Sequence, residues 1–209
     1  MPRLKIGVLI SGSGTNLQSL IDGTKIGEIN GEIAVVISDK EDAYGLERAR
    51  MNGIDAVFVD AKRYENRTAF NDEIVSVLKK HGVVLVVLAG YLKILSPEFI
   101  SEYRNKIINI HPSLIPSFCG KGYYGLKVHE SVIEYGAKIT GATVHFVDEE
   151  ADAGPIILQE AVEVYWDDTP EVLQRRVLKI EHRLLPAAVK YYCDGRIETE
   201  GRKVKIREE

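Results

Sequence analysis

Residues 83–89 read VVLVVLA, a short run that is apolar at every position and rich in β-branched valine. Such a run is typical of a strand buried on both faces, as in a parallel sheet that helices cover on either side. We therefore predict that residues 83–89 form a central strand of an α/β domain.

Predicted strands and helices alternate on both sides of this run. Apolar runs predict further strands at residues 4–10, 32–38, 55–59 and 107–110. Helical patterns and caps predict helices from Thr15 or Asn16, at 43–52 and 67–80, and a short one at Ser96 and Pro97. This alternation predicts a doubly wound, mostly parallel α/β sheet, whose ligands bind beyond the carboxyl ends of the strands. The loops at 11–16, 90–95 and 111–116 all follow strand ends, so we expect them to share one edge of the sheet.

The pattern changes after Pro116. Residues 117–127 (SFCGKGYYGLK) predict a mobile or irregular loop because they contain three glycines. Beyond it we predict a helix at 128–135, strands at 139–147 and 156–164, a long helix at 170–193, and a charged hairpin or extended tail at 198–206. Pro186 inside the long helix implies a kink or a break. We find no linker or repeat and predict a single domain over residues 1–209.

Composition and charge argue against several classes of protein. The 209 residues carry a net charge of −4, so no excess of basic residues indicates nucleic-acid binding. No apolar run approaches the roughly 18 residues of a membrane span, and the first one stops at Ser11, too early for a signal peptide. The two cysteines suggest a reducing compartment, and we expect a cytoplasmic protein.

A glycine-rich turn, SGSGTNLQSLI, follows the first predicted strand. A strand, such a turn and a helix in succession aim backbone N–H groups at a phosphate. The turn is not a P-loop, since it lacks Gly-Lys-Ser/Thr, and it lacks the third glycine of the dinucleotide fingerprint. By itself it fits either a phosphate-binding loop or a plain strand-to-helix turn.

Residues 107–116 read IINIHPSLIP and carry the most suggestive polar pair. Side chains alternate along a strand, so Asn109 and His111 project from the same face. A strand end with an amide and an imidazole, followed by a proline-stiffened loop, could hold a catalytic pair. Ordinary hydrogen-bonded residues at a strand end fit the same pattern.

Two other polar residues are ambiguous. Asp152 precedes a glycine within ADAGP, where an aspartate is usually a turn residue. His145 lies in the middle of an apolar strand, which is more typical of a hydrogen-bonded core residue than of a catalyst. The five histidines show no i, i+4 pair and no cysteine at ligand spacing, so we predict no metal site.

Four segments, in order and at fitting distances, resemble one family. They are SGSGTNL near the start, VLAGYLKILSP at 87–97, NIHPSLIPSF at 109–118 and GATVHFVDEEADAGPIILQ at 141–159. The chain closely resembles the glycinamide ribonucleotide formyltransferases to about Gly195. The resemblance implies a Rossmann-like formyltransferase fold and a reaction in purine biosynthesis. In that reaction the formyl group of 10-formyltetrahydrofolate, a co-substrate, passes to the amine of N1-(5-phospho-D-ribosyl)glycinamide.

The resemblance also implies residue roles. Asn109, His111 and Asp152 correspond to the catalytic asparagine, histidine and aspartate. Positions implied to bind the ribonucleotide are Gly12, Ser13, Gly14, Thr15, Asn16, Leu178, Lys179, Ile180 and Glu181. Positions implied to bind folate are Arg67, Leu92, Lys93, Ile94, Leu95, Asn109, Val147, Asp148, Glu149, Glu150, Ala151 and Asp152. A cis Ile115–Pro116 bond, a phosphate-binding half (1–110) and a folate and catalytic half (111–209) are implied as well.

The chemistry of formyl transfer fits these roles. Transfer from N10 of the folate to an amine passes through a tetrahedral carbon that bears an oxyanion, which preorganised donors stabilise. Asn109 is a neutral donor, whereas His111 donates best when protonated. We expect the Asp152 carboxylate to raise the pKa of His111. We also expect a water held by Asp152 or His111 to relay a proton from the amine to N10.

The loop at 119–125 and the residues that follow it allow more than one interpretation. The loop segment CGKGYYG (119–125) has extra glycines and tyrosines compared with some family members. It could act as a lid, or its tyrosines could pack inward. Lys127 and His129 could help to neutralise a phosphate, but we expect them to be helix surface residues.

Three alternative functions share the fold. A 10-formyltetrahydrofolate hydrolase would carry an N-terminal regulatory domain, whereas here the catalytic fold starts by Leu4. A methionyl-tRNA formyltransferase would carry a basic C-terminal RNA-binding domain, whereas this chain is acidic. A phosphoribosyl-ligand sensor would not need all three polar residues. We expect small-molecule partners, no nucleic acid or membrane, and a monomer or weak homodimer.

Overall fold

The computed structural model describes residues 3–208, so the predicted domain limits at residues 1 and 209 lie outside it. The strands are β1 (Leu4–Ile10), β2 (Gly31–Ser38), β3 (Asp55–Phe58), β4 (Leu85–Leu88), β5 (Ile107–His111), β6 (Ile139–Phe146), β7 (Ile156–Glu163), β8 (Ile197–Glu200) and β9 (Lys203–Ile206). The helices are α1 (Thr15–Lys25), α2 (Tyr44–Met51), α3 (Arg67–Lys80), α4 (Pro97–Glu102), α5 (Leu126–Tyr135) and α6 (Pro170–Cys193).

One sheet of seven strands has the order β3-β2-β1-β4-β5-β6-β7. The first five strands pair in parallel, and β6 and β7 join antiparallel at one edge. All four residues of β4 are buried, as expected for its central position. The predicted doubly wound, mostly parallel α/β fold is therefore confirmed. The central strand is shorter than predicted, because the N–H of Val83 bonds to Leu78 in the turn that ends α3.

Apolar clusters cover both faces of the sheet. On one face α1 and α6 pack against the strands through residues such as Leu20 and Val177. On the other face α3 and α4 do so through residues such as Ile74 and Phe99. Burial on both faces explains why the central strands are apolar throughout rather than alternating.

Side-chain caps begin three of the helices, α3, α4 and α6. Asn66 accepts from the N–H of Ala69 at 2.9 Å, Ser96 from Phe99 at 3.2 Å and Thr169 from Val172 at 3.3 Å. These bonds satisfy backbone donors that the first turn of a helix leaves open.

Several C-terminal boundaries differ from the prediction. Helix α5 begins at Leu126 rather than residue 128, after Gly125 with a φ of +55°. Helix α6 runs unbroken through Pro186, so the predicted break does not occur. The residues that follow, including Ala188 and Val189, are fully buried, and this packing outweighs one lost backbone hydrogen bond. Strands β8 and β9 form the hairpin rather than the extended tail.

The loops that follow β1, β4 and β5 meet at one edge of the sheet, as predicted, because Gly12, Gly90 and Pro112 line one cavity. The Ser11 N–H donates to the Gly90 carbonyl at 3.0 Å, and the Ser11 hydroxyl accepts from the Leu92 N–H at 2.9 Å. Among the helices within residues 3–208, none has the length and apolar character needed to cross a bilayer.

Candidate active site

Asn109, His111 and Asp152 lie together, although Asp152 follows the other two by some forty positions. Nδ2 of Asn109 is 3.4 Å from Oδ1 of Asp152, and Nδ1 of His111 is 3.4 Å from Oδ2. The amide and the imidazole share one face of β5, as strand alternation predicted. The predicted spatial arrangement is therefore confirmed, while the roles of the three residues remain predictions.

Asp152 is held by its own turn and by the loop opposite. Its φ is +55°, an uncommon conformation for a residue other than glycine. The N–H of Gly120 donates to its carboxylate at 2.8 Å. Burial raises the pKa of Asp152, but the neighbouring imidazoles of His145 and His111 and the Gly120 N–H outweigh burial and lower it. The carboxyl group is therefore ionised at neutral pH.

His111 is buried, and both of its ring nitrogens have neighbours. Nε2 donates to the carbonyl of Phe118 at 3.0 Å, because a carbonyl oxygen can only accept. Burial lowers the pKa of His111 and outweighs the opposing effect of Asp152. Asp152 does act in the expected direction, but the net shift is downward. In this arrangement His111 is therefore mainly neutral at pH 7.

His145 belongs to the same cluster, which the sequence did not predict. It pairs with Asn109 across β5 and β6, and its Nε2 is 3.1 Å from Nδ2 of Asn109. Its Nδ1 donates to the carbonyl of Phe146 at 2.8 Å, and its Nε2 is 3.7 Å from Asp152. It is a hydrogen-bonded core residue, as expected, but it also accepts a hydrogen bond from Asn109, one of the three candidate catalytic groups.

A first cavity of about 320 Å³ opens beside this cluster and contains Asn109, His111 and Asp152 in its wall. Most residues implied to bind folate line it, namely Leu92, Lys93, Ile94, Leu95, Val147, Asp148, Glu149, Glu150 and Ala151. Arg67 is exposed at the start of α3 and is not among the lining residues. Tyr91, Tyr123 and Tyr124 also line the cavity but were not predicted as site residues.

A second cavity of about 310 Å³ lies over the glycine-rich turn. Residues implied to bind the ribonucleotide line it, namely Gly12, Ser13, Gly14, Thr15, Asn16, Leu178 and Glu181. Lys179 is exposed and Ile180 is buried in the apolar core, because one face of a helix repeats every three to four residues. Gln174, on the same face of α6, lines the cavity but was not predicted.

Glu181 is a buried residue in the lining of this second cavity. Nδ2 of Asn16 donates to its carboxyl group at 2.7 Å, joining α1 to α6. Burial raises the pKa of Glu181, against the smaller opposing effect of this hydrogen bond. The two cavities adjoin, since Gly90, Leu92, Ile110, Pro112 and Gly125 line both. Each cavity takes residues from both predicted halves of the domain, so the division at residue 110 stays a prediction.

The expected position of His129 is wrong. It was expected on the helix surface, but only 1% of it is exposed and it lines the second cavity. Lys127 is exposed, as expected. Sequence periodicity could not decide which face of the short helix α5 packs inward. Burial, and then the proximity of His111, lower the pKa of His129 to about 4.

We expect the buried His129 to make the protein sensitive to acid. Its pKa is about 4 in the folded chain and about 6.5 when unfolded, so the unfolded state binds protons first as pH falls. Stability is therefore lost between pH 6.5 and 4, by about 3 kcal/mol from this residue. Urea unfolding at pH 7 and pH 4.5 should show a smaller difference for His129→Leu than for the parent. An equal difference would contradict this assignment.

Within residues 3–208, no group of three or more His, Cys, Asp or Glu side chains is placed to hold a metal ion. The Ile115–Pro116 bond is cis, as the resemblance implied. The loop residues 120–125 form one wall of the first cavity.

An α/β sheet that presents an amide, an imidazole and a carboxylate beside two adjoining cavities defines a two-substrate group-transfer enzyme. The Formyl transferase family model matches residues 4–189. A phosphoribosylglycinamide formyltransferase of Escherichia coli is 41% identical over 195 residues, covering 93% of this chain and 90% of that one. The chain therefore belongs to the formyl transferase family and, within it, to the phosphoribosylglycinamide formyltransferases.

Two further comparisons agree. The chloroplastic phosphoribosylglycinamide formyltransferase of Arabidopsis thaliana is 45% identical over 197 residues, covering 94% of this chain and 68% of that one. The crystal structure of glycinamide ribonucleotide transformylase 1 from Symbiobacterium toebii has a TM-score of 0.94 at 49% identity, covering 99% of this chain and 95% of that one.

Proposed function

We propose that this protein transfers the formyl group of 10-formyltetrahydrofolate to the amine of N1-(5-phospho-D-ribosyl)glycinamide in de novo purine biosynthesis. The observation that carries the proposal is the position of Asn109, His111 and Asp152 in a wall where two cavities adjoin. A hydrolase would need only one of these cavities, because water needs no binding site of about 310 Å³. We further propose a cytoplasmic monomer or weak homodimer that acts on small molecules and not on nucleic acid.

The folate is the substrate of the first cavity in this proposal. Leu92 and Ile94 are about half exposed, so the cavity wall offers apolar surface for a flat ring system. The Asp148–Asp152 turn supplies polar groups opposite. Folate binding by Arg67 stays a prediction. It would require part of the folate to extend beyond the first cavity.

Asn109 and His111 would stabilise the oxyanion of the tetrahedral carbon. One preorganised donor is worth about 3–4 kcal/mol of barrier in such sites. The Nε2–H of His111 points to the Phe118 carbonyl, so a substrate oxygen must displace that carbonyl to receive the same hydrogen.

Asp152 would move protons. Its ionised carboxylate can accept the proton that the attacking amine releases, directly or through one water, and return it towards N10. It also lies beside Nδ1 of His111, so it stabilises the imidazolium that forms when that ring takes up a proton.

The second cavity would hold the ribonucleotide. Helix α1 begins at the glycine-rich turn, and no side chain caps its N-terminus, so its first N–H groups are open to a phosphate. Glu181 and Asn16, which are both buried, line the same cavity.

The test is formyl transfer from 10-formyltetrahydrofolate with three acceptors: the ribonucleotide, water alone and charged tRNA. We expect turnover of the ribonucleotide, only background hydrolysis and no transfer to tRNA. Hydrolysis or tRNA formylation without turnover of the ribonucleotide would refute the proposal.

A further inference from the structure

The C-terminal hairpin of β8 and β9 lies beside the turn that carries Asp152. Strand β9 packs against β7, and Ile197 and Val204 of the hairpin contact the apolar core on the α6 side of the sheet. The match to the family model ends at residue 189, before the hairpin begins. A role for the hairpin must therefore be argued from its own contacts.

The tip of the hairpin binds the Asp152 turn, which we define as residues 148–154. Nη2 of Arg202 donates to the carbonyl of Ala153 at 2.5 Å. Within the described residues it is the only hydrogen bond that joins the backbone of this turn to another part of the protein. The two hydrogen bonds inside the turn are longer, at 3.2 and 3.4 Å. Arg202 is therefore the backbone anchor of the Asp152 turn.

The conformation of Asp152 is one that needs an anchor. Its φ is +55°, and such a backbone conformation persists at a residue other than glycine only where the surrounding structure holds it. This conformation directs the carboxylate to within 3.4 Å of both Asn109 and His111. Release of the carbonyl of Ala153, the next residue, would let the backbone relax and carry the carboxylate away from them.

We propose that Arg202 is a positioning residue for formyl transfer, because its bond to Ala153 keeps the Asp152 carboxylate beside His111 and Asn109. Arg202 is in the wall of neither cavity, so it acts through Asp152 and not on a substrate. The proposal rests on the proposed function and deepens it, since it gives the C-terminal hairpin a part in the same reaction.

The first test is the kcat of Arg202→Met, which keeps an unbranched side chain and removes the donors. We expect kcat to fall about tenfold, a part of the 10²–10⁴-fold that a positioned acid–base group contributes. The KM for the ribonucleotide should stay unchanged, because no residue of the Asp152 turn lines the second cavity. Steady-state kinetics with the full chain would measure both constants.

A double-mutant cycle shows whether Arg202 acts through Asp152. In the Asp152→Asn background there is no carboxylate to position, so Arg202→Met should lower the remaining kcat by less than twofold. If the loss of Arg202 instead weakened the fold in general, the two losses would multiply.

Arg207→Met is the matched control. Arg207 lies at the open end of the same hairpin, where it donates to the Gly195 carbonyl and pairs with Glu198. This variant removes the same charge and the same kind of hydrogen bond without touching the Asp152 turn, so kcat should stay at the parent value. Arg202 and Arg207 are both exposed, so both variants should melt within about 2 °C of the parent.

A second measurement follows the His111 ring by NMR titration without substrates. Burial lowers the pKa of His111 and Asp152 raises it, and the other titratable groups that face the ring are His145 and His129. When the carboxylate moves away in Arg202→Met, the pKa of His111 should fall, in the same direction as in Asp152→Asn but by less.

Three results would overturn the proposal: a kcat of Arg202→Met within about twofold of the parent, losses that multiply in the double variant, or an unchanged titration of His111. If the parent showed no formyl transfer, the proposed function would fail. The titration would still show whether Arg202 holds Asp152 beside His111, so the two failures are distinguishable.

Discussion

Asp152→Asn should lower turnover by about 10³-fold while the chain stays folded, since positioned acid–base groups contribute about 10²–10⁴-fold. The variant keeps the shape of the side chain and can still accept the Gly120 N–H. It loses the carboxylate that would take the proton from the amine. It also loses the negative charge that favours the imidazolium of His111.

The pH profile of kcat distinguishes the loss of the proton acceptor from the loss of the negative charge beside His111. Asp152 raises the pKa of His111 against the larger effect of burial. Without the carboxylate the pKa of His111 falls further. The rate of a step that needs the imidazolium should therefore reach its maximum at a lower pH. We would measure kcat from pH 5 to 9, with melting temperatures as a check on folding.

Asp42→Asn is a suitable control for Asp152→Asn. It makes the same change of charge at an exposed residue that lines neither cavity. It should leave kcat and its pH profile unchanged. A turnover of Asp152→Asn within about threefold of the parent would remove Asp152 from the mechanism, because loss of a positioned proton acceptor costs far more than that.

The sequence predicted those parts of the site that depend on local periodicity. Strand alternation placed Asn109 and His111 on one face, and the order of strands and helices placed three loops at one edge of the sheet. Asp152 could not be placed by periodicity, because a turn between two strands has no repeating pattern. Only the family resemblance assigned Asp152 to the site.

Features that depend on how elements pack were not predictable. His145 reaches Asn109 only through the antiparallel register of β5 and β6. His129 is buried because α5 turns that face inwards, and Lys179 is exposed because α6 turns its face outwards. The net pKa shift of His111 depends on two opposing effects, burial and the Asp152 carboxylate, whose relative size only the folded structure gives.

Gly12→Val should raise the KM for the ribonucleotide by about 100-fold, or nearly 3 kcal/mol of binding, and leave the KM for the folate almost unchanged. Gly12 lines the second cavity but not the first. A Cβ atom at Gly12 would meet nothing within 4 Å, so a side chain there starts in the open space over the turn. That space is where the first N–H groups of α1 would meet a phosphate.

The neighbouring Gly14 shows why Gly12 is the better position to test. Gly14 has a φ of +70°, and a Cβ there would lie 2.7 Å from Cα of Gly45. Its replacement would strain the backbone and confuse a binding effect with a folding effect. At Gly12 the melting temperature should stay at the parent value.

A graded series makes the Gly12 prediction sharper. Gly12→Ala adds one carbon and Gly12→Val adds three, so the KM for the ribonucleotide should rise in that order at constant kcat, because a block to binding raises KM alone. Steady-state kinetics with each substrate varied in turn would measure both constants. If both KM values rose by the same factor, the turn would act on the whole fold. The phosphate would then have to bind elsewhere in the second cavity.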